Sequence, residues 1–217
     1  MQFICVEPDD EFFALLESNS RRIRALDETA SIELIKALVG ASKGTVLLQG
    51  AGGTKSAICS AGNSAGMTRR ALDDLTRPSR GKEVHLIKSD VDGYDYDVIE
   101  SGLDLIESKR PILFFECQFD HEFQKHSYER LIKKLFSMGY GSFAVFDNFG
   151  EVMIQTENIG DVSQLFDYLW RQNSKRTSRT LYYYDILVSE PKHSELVTTC
   201  LTDYLELYMP AQNKAKL

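Results

Sequence analysis

Four acidic side chains stand at the ends of predicted strands, where they could bind hydroxyl or ammonium groups. Glu7 follows one apolar run, Asp90 and Asp92 follow a second, and Glu116 ends a third, which is the most apolar in the chain. In open α/β sheets, ligands bind at the carboxyl ends of the strands. A carboxylate placed there can accept hydrogen bonds from ribose hydroxyls or from an ammonium group. The spacing therefore predicts a binding site that is lined by acids.

Each of these acids also has a structural explanation. Glu7 precedes a proline and can belong to the N-terminal cap of the next helix. Asp90 and Asp92, which stand close to Gly93, suit a tight turn. Glu116 can be the buried partner of a lysine or an arginine. The sequence leaves these alternatives open.

A histidine and a lysine complete the candidate site. His121 comes five residues after Glu116, where a loop above the sheet could bring its imidazole to the cleft. Histidine can deprotonate a hydroxyl near neutral pH. Lys88 lies two residues before Asp90 and could contact a substrate. The alternatives are an exposed histidine at the start of a helix and a structural ion pair for the lysine.

Other segments have suggestive residue types without a complete motif. The Gly-rich stretch 46–56 has Lys55 at the third glycine of a dinucleotide-binding GxGxxG motif, and it also fails as a phosphate-binding P-loop. We interpret it as a surface loop, with a displaced cofactor loop over Gly50–Gly53 as the alternative. Two more segments could contact an acceptor. One contains the basic residues Lys175, Arg176 and Arg179, for which the alternative is a solvated loop. The other contains the tyrosines Tyr182, Tyr183 and Tyr184, for which the alternative is an ordinary edge strand.

Strand-like and helix-like patterns alternate along most of the chain, with an amphipathic helix over 122–138 and a short helix over 68–76 among them. This alternation indicates βαβ units and a parallel sheet with helices on both faces. Near the C-terminus, runs over 141–147 and 151–155 flank a hairpin signal. We therefore predict an α/β, Rossmann-like sheet that is mostly parallel with antiparallel edge strands.

The composition argues against several classes of protein. A chain of 217 residues with a net charge of −7 lacks the basic balance of a protein held by nucleic-acid phosphates. No apolar run approaches the roughly 18–20 residues of a membrane span. The four cysteines are widely spaced without a CxxC pair, so zinc-site spacing is absent and we predict reduced thiols and a cytoplasmic location. No metal is assigned from the sequence, which neither implies nor excludes one. We expect one α/β domain over 1–192, followed by a helix and polar tail over 193–217.

The run after the second strand end carries a family resemblance. Lys88-Ser89-Asp90-Val91-Asp92-Gly93, preceded by His85-Leu86-Ile87, resembles the strand-four signature of FkbM-type methyltransferases, roughly Ile-Lys-x-Asp-x-Glu-Gly. It departs from that signature at Asp92, where the family usually has the longer Glu. The resemblance covers roughly residues 3–189, because further segments agree in order and spacing: Val6–Asp9, Ala71–Leu75, Tyr94–Gly102 and Phe114–Glu116.

The resemblance implies a class I methyltransferase fold and an S-adenosylmethionine-dependent O-methyltransferase that acts on hydroxyls of sugars, glycolipids or polyketides. On the family pattern, Glu7 would hold the cofactor's ribose hydroxyls, and Asp90 and Asp92 would lie beside its methionine end or the acceptor. Glu116 would lie deeper in the acceptor cleft. The residues that we predict to act in catalysis are Asp90, Asp92 and His121, and those predicted to contact the acceptor are Glu116 and Lys88.

The family also has an earlier strand and a Gly-rich turn. This chain starts at what resembles the second strand, so we expect the first βα unit to be missing and these 217 residues to bind S-adenosylmethionine weakly or not at all. One rival hypothesis is a non-catalytic α/β interaction module that forms a homodimer through its Tyr-rich edge and last helix. A nicotinamide-dependent oxidoreductase is a weaker one, because its fingerprint is incomplete.

Overall fold

The computed structural model describes residues 2–41, 45–49, 56–59, 67–76, 82–175 and 180–208. The chain divides into two compact units, one drawn from residues 1–83 and 94–106 and the other from 84–93 and 107–217. In chain order the elements are β1 (Gln2–Val6), α1 (Asp10–Leu26), β2 (Ser31–Ile35), β3 (Leu38–Val39), β4 (Thr45–Gln49), β5 (Ser56–Cys59), β6 (Met67–Arg70), α2 (Leu72–Leu75), β7 (Leu86–Ser89), α3 (Asp95–Glu100), α4 (Leu103–Lys109), β8 (Ile112–Gln118), α5 (Glu122–Ser137), β9 (Ser142–Asp147), β10 (Val152–Thr156), α6 (Ile159–Lys175), β11 (Tyr183–Ser189) and α7 (Ser194–Tyr208).

The first unit contains two small sheets. Strands β1 and β2 pair in parallel and are joined by α1, which gives the βαβ arrangement predicted for this region. Strands β3, β6, β4 and β5 form a second sheet in that order, in which β3 and β6 are parallel and the other pairs are antiparallel. The short apolar segments at the two ends of the Gly-rich stretch are thus the paired strands β4 and β5.

The second unit is built on a five-stranded sheet with the order β10-β9-β11-β8-β7. Strands β7 and β8 are parallel, and β11 is antiparallel to both β8 and β9. It follows that β7, β8 and β9 run in one direction, while β11 and β10 run in the other. The α/β class and the antiparallel hairpin are as predicted from the sequence, but β11 lies inside the sheet, where the tyrosine-rich strand was predicted to be an edge.

Helices pack on both faces of this sheet. On one face Phe115 stacks with Tyr128 of α5, and Phe119 meets Phe166 of α6 edge to face. On the other face a smaller apolar cluster joins the sheet to α7, with Ala144, Phe146, Val197 and Leu201 as its buried members. Burial of each large apolar side chain contributes about 1.5–3 kcal/mol, so both faces stabilise the strands that carry the candidate residues.

Two predicted helices differ from the structure. Residues 68–70 of the short helix predicted over 68–76 belong to strand β6, because this strand pairs with β3 and β4, and only 72–75 are helical. The sequence pattern also predicts one helix over about 95–108, but the structure has two, α3 and α4, which are separated at Ser101 and Gly102. A Cβ atom on Gly102 would lie 2.7 Å from Leu72, so this break allows close packing against α2. No helix within the described residues is long and apolar enough to cross a membrane.

Candidate active site

The register of β7 and β8 places the predicted acids at one edge of the sheet. Ser89, the last residue of β7, is the partner of Phe115 in this parallel pair, so Asp90 follows β7 where β8 continues with Glu116. β7 ends at Ser89, directly before Asp90, and Glu116 lies two residues before the carboxyl end of β8 at Gln118. Ligands bind at this end of the strands in α/β sheets. Adjacent parallel strands at Ile87 and Phe114 were predicted from the sequence, and the pairing confirms them.

Lys88 lies beside two of the residues expected to line the site. Its partner in the register is Phe114, and its Nζ is 5.8 Å from the centre of the Phe114 ring. The same Nζ is 2.8 Å from Asp90 Oδ2, in an ion pair whose two side chains are 51% and 58% exposed. An ion pair with this much exposure adds little to stability, so both side chains keep access to a ligand.

The next strand adds a further acid and a tyrosine that sequence reasoning did not select as site residues. Asp185 of β11 lies directly opposite Glu116, and Tyr183 lies opposite Gln118. Because side chains alternate along a strand, Tyr183 and Asp185 share one face of the sheet with Glu116. Glu116 is only 5% exposed, whereas Asp185 and Tyr183 are half-buried. The face is therefore lined by carboxyl groups from two neighbouring strands.

A tight turn follows β7 and carries Asp92. Both Asp92 and Gly93 have left-handed backbone conformations, with φ of 51° and 86°. Asp tolerates this region better than most residues because its short side chain bonds locally. A Cβ atom on Gly93 would lie 2.9 Å from Gln124 Nε2 and 3.1 Å from the carbonyl oxygen of Gln118. Glycine is thus required both by the backbone angle and by the close approach of the β8 loop.

Gln124, which was not predicted as a site residue, connects the two loops. Its Nε2 donates to the carbonyl oxygen of Gly93 at 3.1 Å. Its Oε1 accepts from the backbone N–H groups of Asp120 and His121 at 2.9 and 2.8 Å. The side chain is 2% exposed. A glutamine three residues into a helix is half of a capping box, which was the only sequence signal for it.

Burial and neighbouring charges raise the pKa values of three groups in the site. Desolvation, followed by the charges of Asp90 and Asp120, raises the pKa of Asp92 above its ordinary value. Burial and the charge of Asp90 raise the pKa of Asp185, against an opposing effect of Lys88. Burial, then Asp185 and other nearby acids, also raises the pKa of Tyr183. These couplings show that the acids at the ends of β7 and β8 and on β11 interact electrostatically.

The structure places His121 at the beginning of α5. It is the residue before the first helical turn, and its side chain is exposed. The imidazole stacks on Phe123, with ring centres 5.6 Å apart and planes 13° apart. His121 therefore lies on the loop that follows β8, next to Asp120, and its ring rests on an exposed aromatic side chain.

Glu7 lies in the other unit, immediately after β1. Its Oε1 accepts from the backbone N–H of Asp9 at 2.7 Å, and its own N–H donates to Ile35 at 3.2 Å. Asp9, rather than Glu7, caps α1 by accepting from the N–H groups of Glu11 and Phe12. A carboxylate has about four acceptor sites, so this one bond leaves Glu7 able to accept from hydroxyls.

The remaining candidate segments have separate positions. Tyr184 is fully buried, Tyr182 is exposed, and Lys175 is exposed at the end of α6. The candidate residues Gly50–Gly53, Arg176 and Arg179 lie outside the described residues. Within the residues that the structure describes, no group of three or more His, Cys, Asp or Glu side chains is arranged to hold a metal ion.

The fold and the acidic strand ends define an α/β protein with a Rossmann-like arrangement. The sequence profile of the methyltransferase FkbM domain matches residues 4–141, which is more than half of the chain. The chain therefore belongs to the FkbM methyltransferase family and is a methyltransferase. The matched range includes Glu7, the turn after β7, and Glu116. No curated protein matches the chain significantly.

Proposed function

We propose that this methyltransferase uses S-adenosylmethionine to methylate a hydroxyl group of a sugar, glycolipid or polyketide-type acceptor. The observation that supports it most is that the pairing of β7 with β8 brings Asp90, directly after β7, and Glu116, near the carboxyl end of β8, to the same end of the sheet beside Lys88. Family membership supports methyl transfer. The chemistry of these side chains supports an acceptor rich in hydroxyl groups.

Two carboxylates are proposed to hold the cofactor. Glu7 would accept hydrogen bonds from the ribose hydroxyls, for which its second oxygen has capacity. On the family pattern, Asp90 is assigned to the positively charged methionine end of the cofactor. When bound, S-adenosylmethionine supplies a methyl group carried by a sulfonium sulfur, and the neutral thioether that remains is a good leaving group. The protein's main contributions are then alignment and exclusion of water.

The acceptor is proposed to bind on the face shared by β8 and β11. Glu116 and Asp185 can accept hydrogen bonds from neighbouring hydroxyls, and Lys88 can donate to an ether or hydroxyl oxygen. Tyr183 offers a half-buried aromatic ring on the same face, on which a sugar ring can stack. A small molecule or glycan with several hydroxyls satisfies this set of donors and acceptors.

Asp92 is the best placed of the three candidate bases. The hydroxyl proton of the acceptor must move to a base as the oxygen takes the methyl group. A base works best when its pKa is closer to the working pH, and the pKa of Asp92 is raised by desolvation and by Asp90 and Asp120. Asp90 forms an ion pair with Lys88, which favours a role in binding over one in proton transfer. His121 remains the alternative base on the neighbouring loop.

A transfer assay with methyl-labelled S-adenosylmethionine tests this function. The purified chain is incubated with pooled sugars, glycolipids and polyketides, and labelled products are identified by mass. We expect an O-methylated product, and Asp92→Asn should lower kcat by about 10²–10⁴-fold if Asp92 is the base. Asp203→Asn, at an exposed position of α7, is the matched control. Absence of labelled product, together with absence of cofactor binding, would favour the interaction module instead.

A cytoplasmic location is proposed with this function. Cys5, Cys117 and Cys200 are free thiols, and reduced cysteines are typical of a reducing compartment. Fractionation of cells that express a tagged full-length protein tests this location. Recovery in a membrane or extracellular fraction would contradict it.

A further inference from the structure

We propose that Gln124 is a positioning residue that fixes the turn carrying Asp92 against the loop carrying Asp120. The inference rests on the proposed function, because it assigns Gln124 a part in the same site. The carbonyl of Gly93 and the N–H groups of Asp120 and His121 are all bound by this one side chain. Gln124 thus joins segments that follow two different strands, β7 and β8.

The two ends of the glutamine side chain have separable roles. The acceptor end, Oε1, binds N–H groups at the start of α5, as expected for the N3 residue of a helix. Capping requires no donor. The donor end, Nε2, is instead used across 31 residues of sequence to reach Gly93. A residue that served only to cap α5 would have no need for this second bond.

Burial makes the contact specific. At 2% exposure, an amide that lost its partner would leave a desolvated polar group without a hydrogen bond, which is destabilising. Gly93 has no side chain to keep Gln124 away, since a Cβ atom there would be 2.9 Å from Nε2. The turn and the glutamine are therefore fitted to each other, and the neighbouring Asp92 has its position set by the same turn.

The position of this turn affects the pKa of Asp92, which we propose as the general base. Asp90 at the end of β7 and Asp120 on the β8 loop are the charged groups that raise the pKa of Asp92, in addition to desolvation. Lys88 pairs with Asp90. If the turn moved away from the β8 loop, Asp92 would become better solvated and more distant from Asp120. Its pKa would then fall toward the ordinary value.

Two substitutions separate capping from positioning. Gln124→Met removes both the acceptor Oε1 and the donor Nε2 while it keeps a side chain of similar volume. Gln124→Glu keeps the acceptor end, but its ionised form cannot donate to the Gly93 carbonyl. Gln164→Met, at an exposed position of α6, is the matched control. The amide of Tyr94 in ¹⁵N-labelled protein reports on the Gly93 carbonyl, because the two belong to one peptide group.

We expect both Gln124 variants to shift the Tyr94 amide signal at pH 7, and the control to leave it in place. In Gln124→Glu the signal should return toward the wild-type position as the introduced carboxyl is protonated, because the protonated form can donate. In Gln124→Met, a carboxyl ¹³C titration should show a lowered pKa for Asp92. If Gln124→Met does not fold, Gln124→Glu alone decides between the two roles.

Kinetics give the second readout. Both variants should lower kcat by about 10–100-fold while the KM for S-adenosylmethionine stays within about twofold, as expected for misplacement of a reacting group. An unshifted Tyr94 signal at every pH in Gln124→Glu would overturn the positioning role and leave a helix cap. The NMR outcomes require no turnover. Failure of methyl transfer in the wild type would therefore contradict the proposed function without deciding the role of Gln124.

Discussion

Glu116 of β8 and Asp185 of β11 are direct partners in an antiparallel pair, so two carboxyl groups stand side by side on one face of the sheet. Directly opposite side chains in such pairs have Cβ atoms about 4.5–5.5 Å apart, and like charges there are destabilising. Burial and then the charge of Asp90 raise the pKa of Asp185, and Lys88 opposes this shift. Such an arrangement is unfavourable for folding, which is typical of residues retained for function.

Asp185→Asn is expected to stabilise the protein at neutral pH. The pKa of Asp185 is higher in the folded state than its ordinary value of 3.8, so the ionised carboxylate opposes folding. The wild type therefore loses stability as the pH rises from below 3.8 through the folded-state pKa. We expect a gain of at most about 1 kcal/mol at pH 7 that vanishes near pH 3. Urea unfolding at both pH values measures it, with Asp203→Asn as control. An equal gain at both pH values would argue against charge repulsion.

Gly93→Ala is expected to be more damaging than Gly139→Ala. Both glycines have positive φ angles, 86° and 97°. A Cβ atom at Gly139 would meet only Arg110 at 4.0 Å, so this substitution measures the backbone cost alone, about 1–2 kcal/mol. At Gly93 the added atom also crowds Gln124 and the Gln118 carbonyl. Chemical denaturation compares the two variants, and equal losses would show that the packing of the turn is loose.

Lys125→Ala should weaken the contact between α5 and α6. Lys125 is 9% exposed, and its Nζ is 2.7 Å from Glu129 and 2.8 Å from Asp167. Burial acts to lower the pKa of Lys125, but the hydrogen bonds to Asp167 and Glu129 outweigh it, and the pKa is raised. Because Asp167 is 54% exposed, we allow for screening and expect a loss of about 1–2 kcal/mol at pH 7.

The pH dependence of the Lys125 effect has a defined sign. The hydrogen bonds from Lys125 lower the pKa values of Asp167 and Glu129, which burial acts to raise. Their contribution is therefore lost as the pH falls through those lowered values, and that of the lysine is lost as the pH rises through its raised value. Thermal unfolding from acid to alkaline pH should show the largest difference from wild type near neutrality. Lys133→Ala, at an exposed position of α5, should show none.

Local sequence patterns predicted the elements that carry the site. The apolar run before Glu116 and the run before Asp90 are strands, and they pair in parallel as expected. The strand at 67–70 was missed because pairing with β3 and β4, rather than its own residue types, determines its conformation. The interior position of β11 was missed for the same reason, since insertion between β8 and β9 depends on contacts distant in sequence.

Residues whose role depends on a distant contact could not be found from local patterns. The bond from Gln124 to Gly93 spans 31 residues, and the pairing of Asp185 with Glu116 depends on the position of β11. Glu7 and Asp90, by contrast, are visible in the sequence because each directly follows an apolar run that is a strand. Glu116 was predicted to end its strand, but β8 continues to Gln118, where it pairs with β11.

Titration with S-adenosylmethionine, followed by NMR, tests most directly whether this chain has a methyltransferase's cofactor site. The amide signals of wild type, Glu7→Gln and the exposed-position control Glu33→Gln are recorded up to millimolar cofactor, with NAD⁺ as the comparison ligand. We expect saturable shifts near Glu7 with S-adenosylmethionine only, and in the millimolar range, because the sequence predicts weak binding by these 217 residues. Glu7→Gln should weaken binding by about 10–100-fold, since a hydrogen bond to a charged group contributes roughly 1.5–3 kcal/mol. Glu33→Gln should bind as the wild type does. Absence of saturable shifts, or equal affinity of the wild type and Glu7→Gln, would contradict the proposed cofactor site.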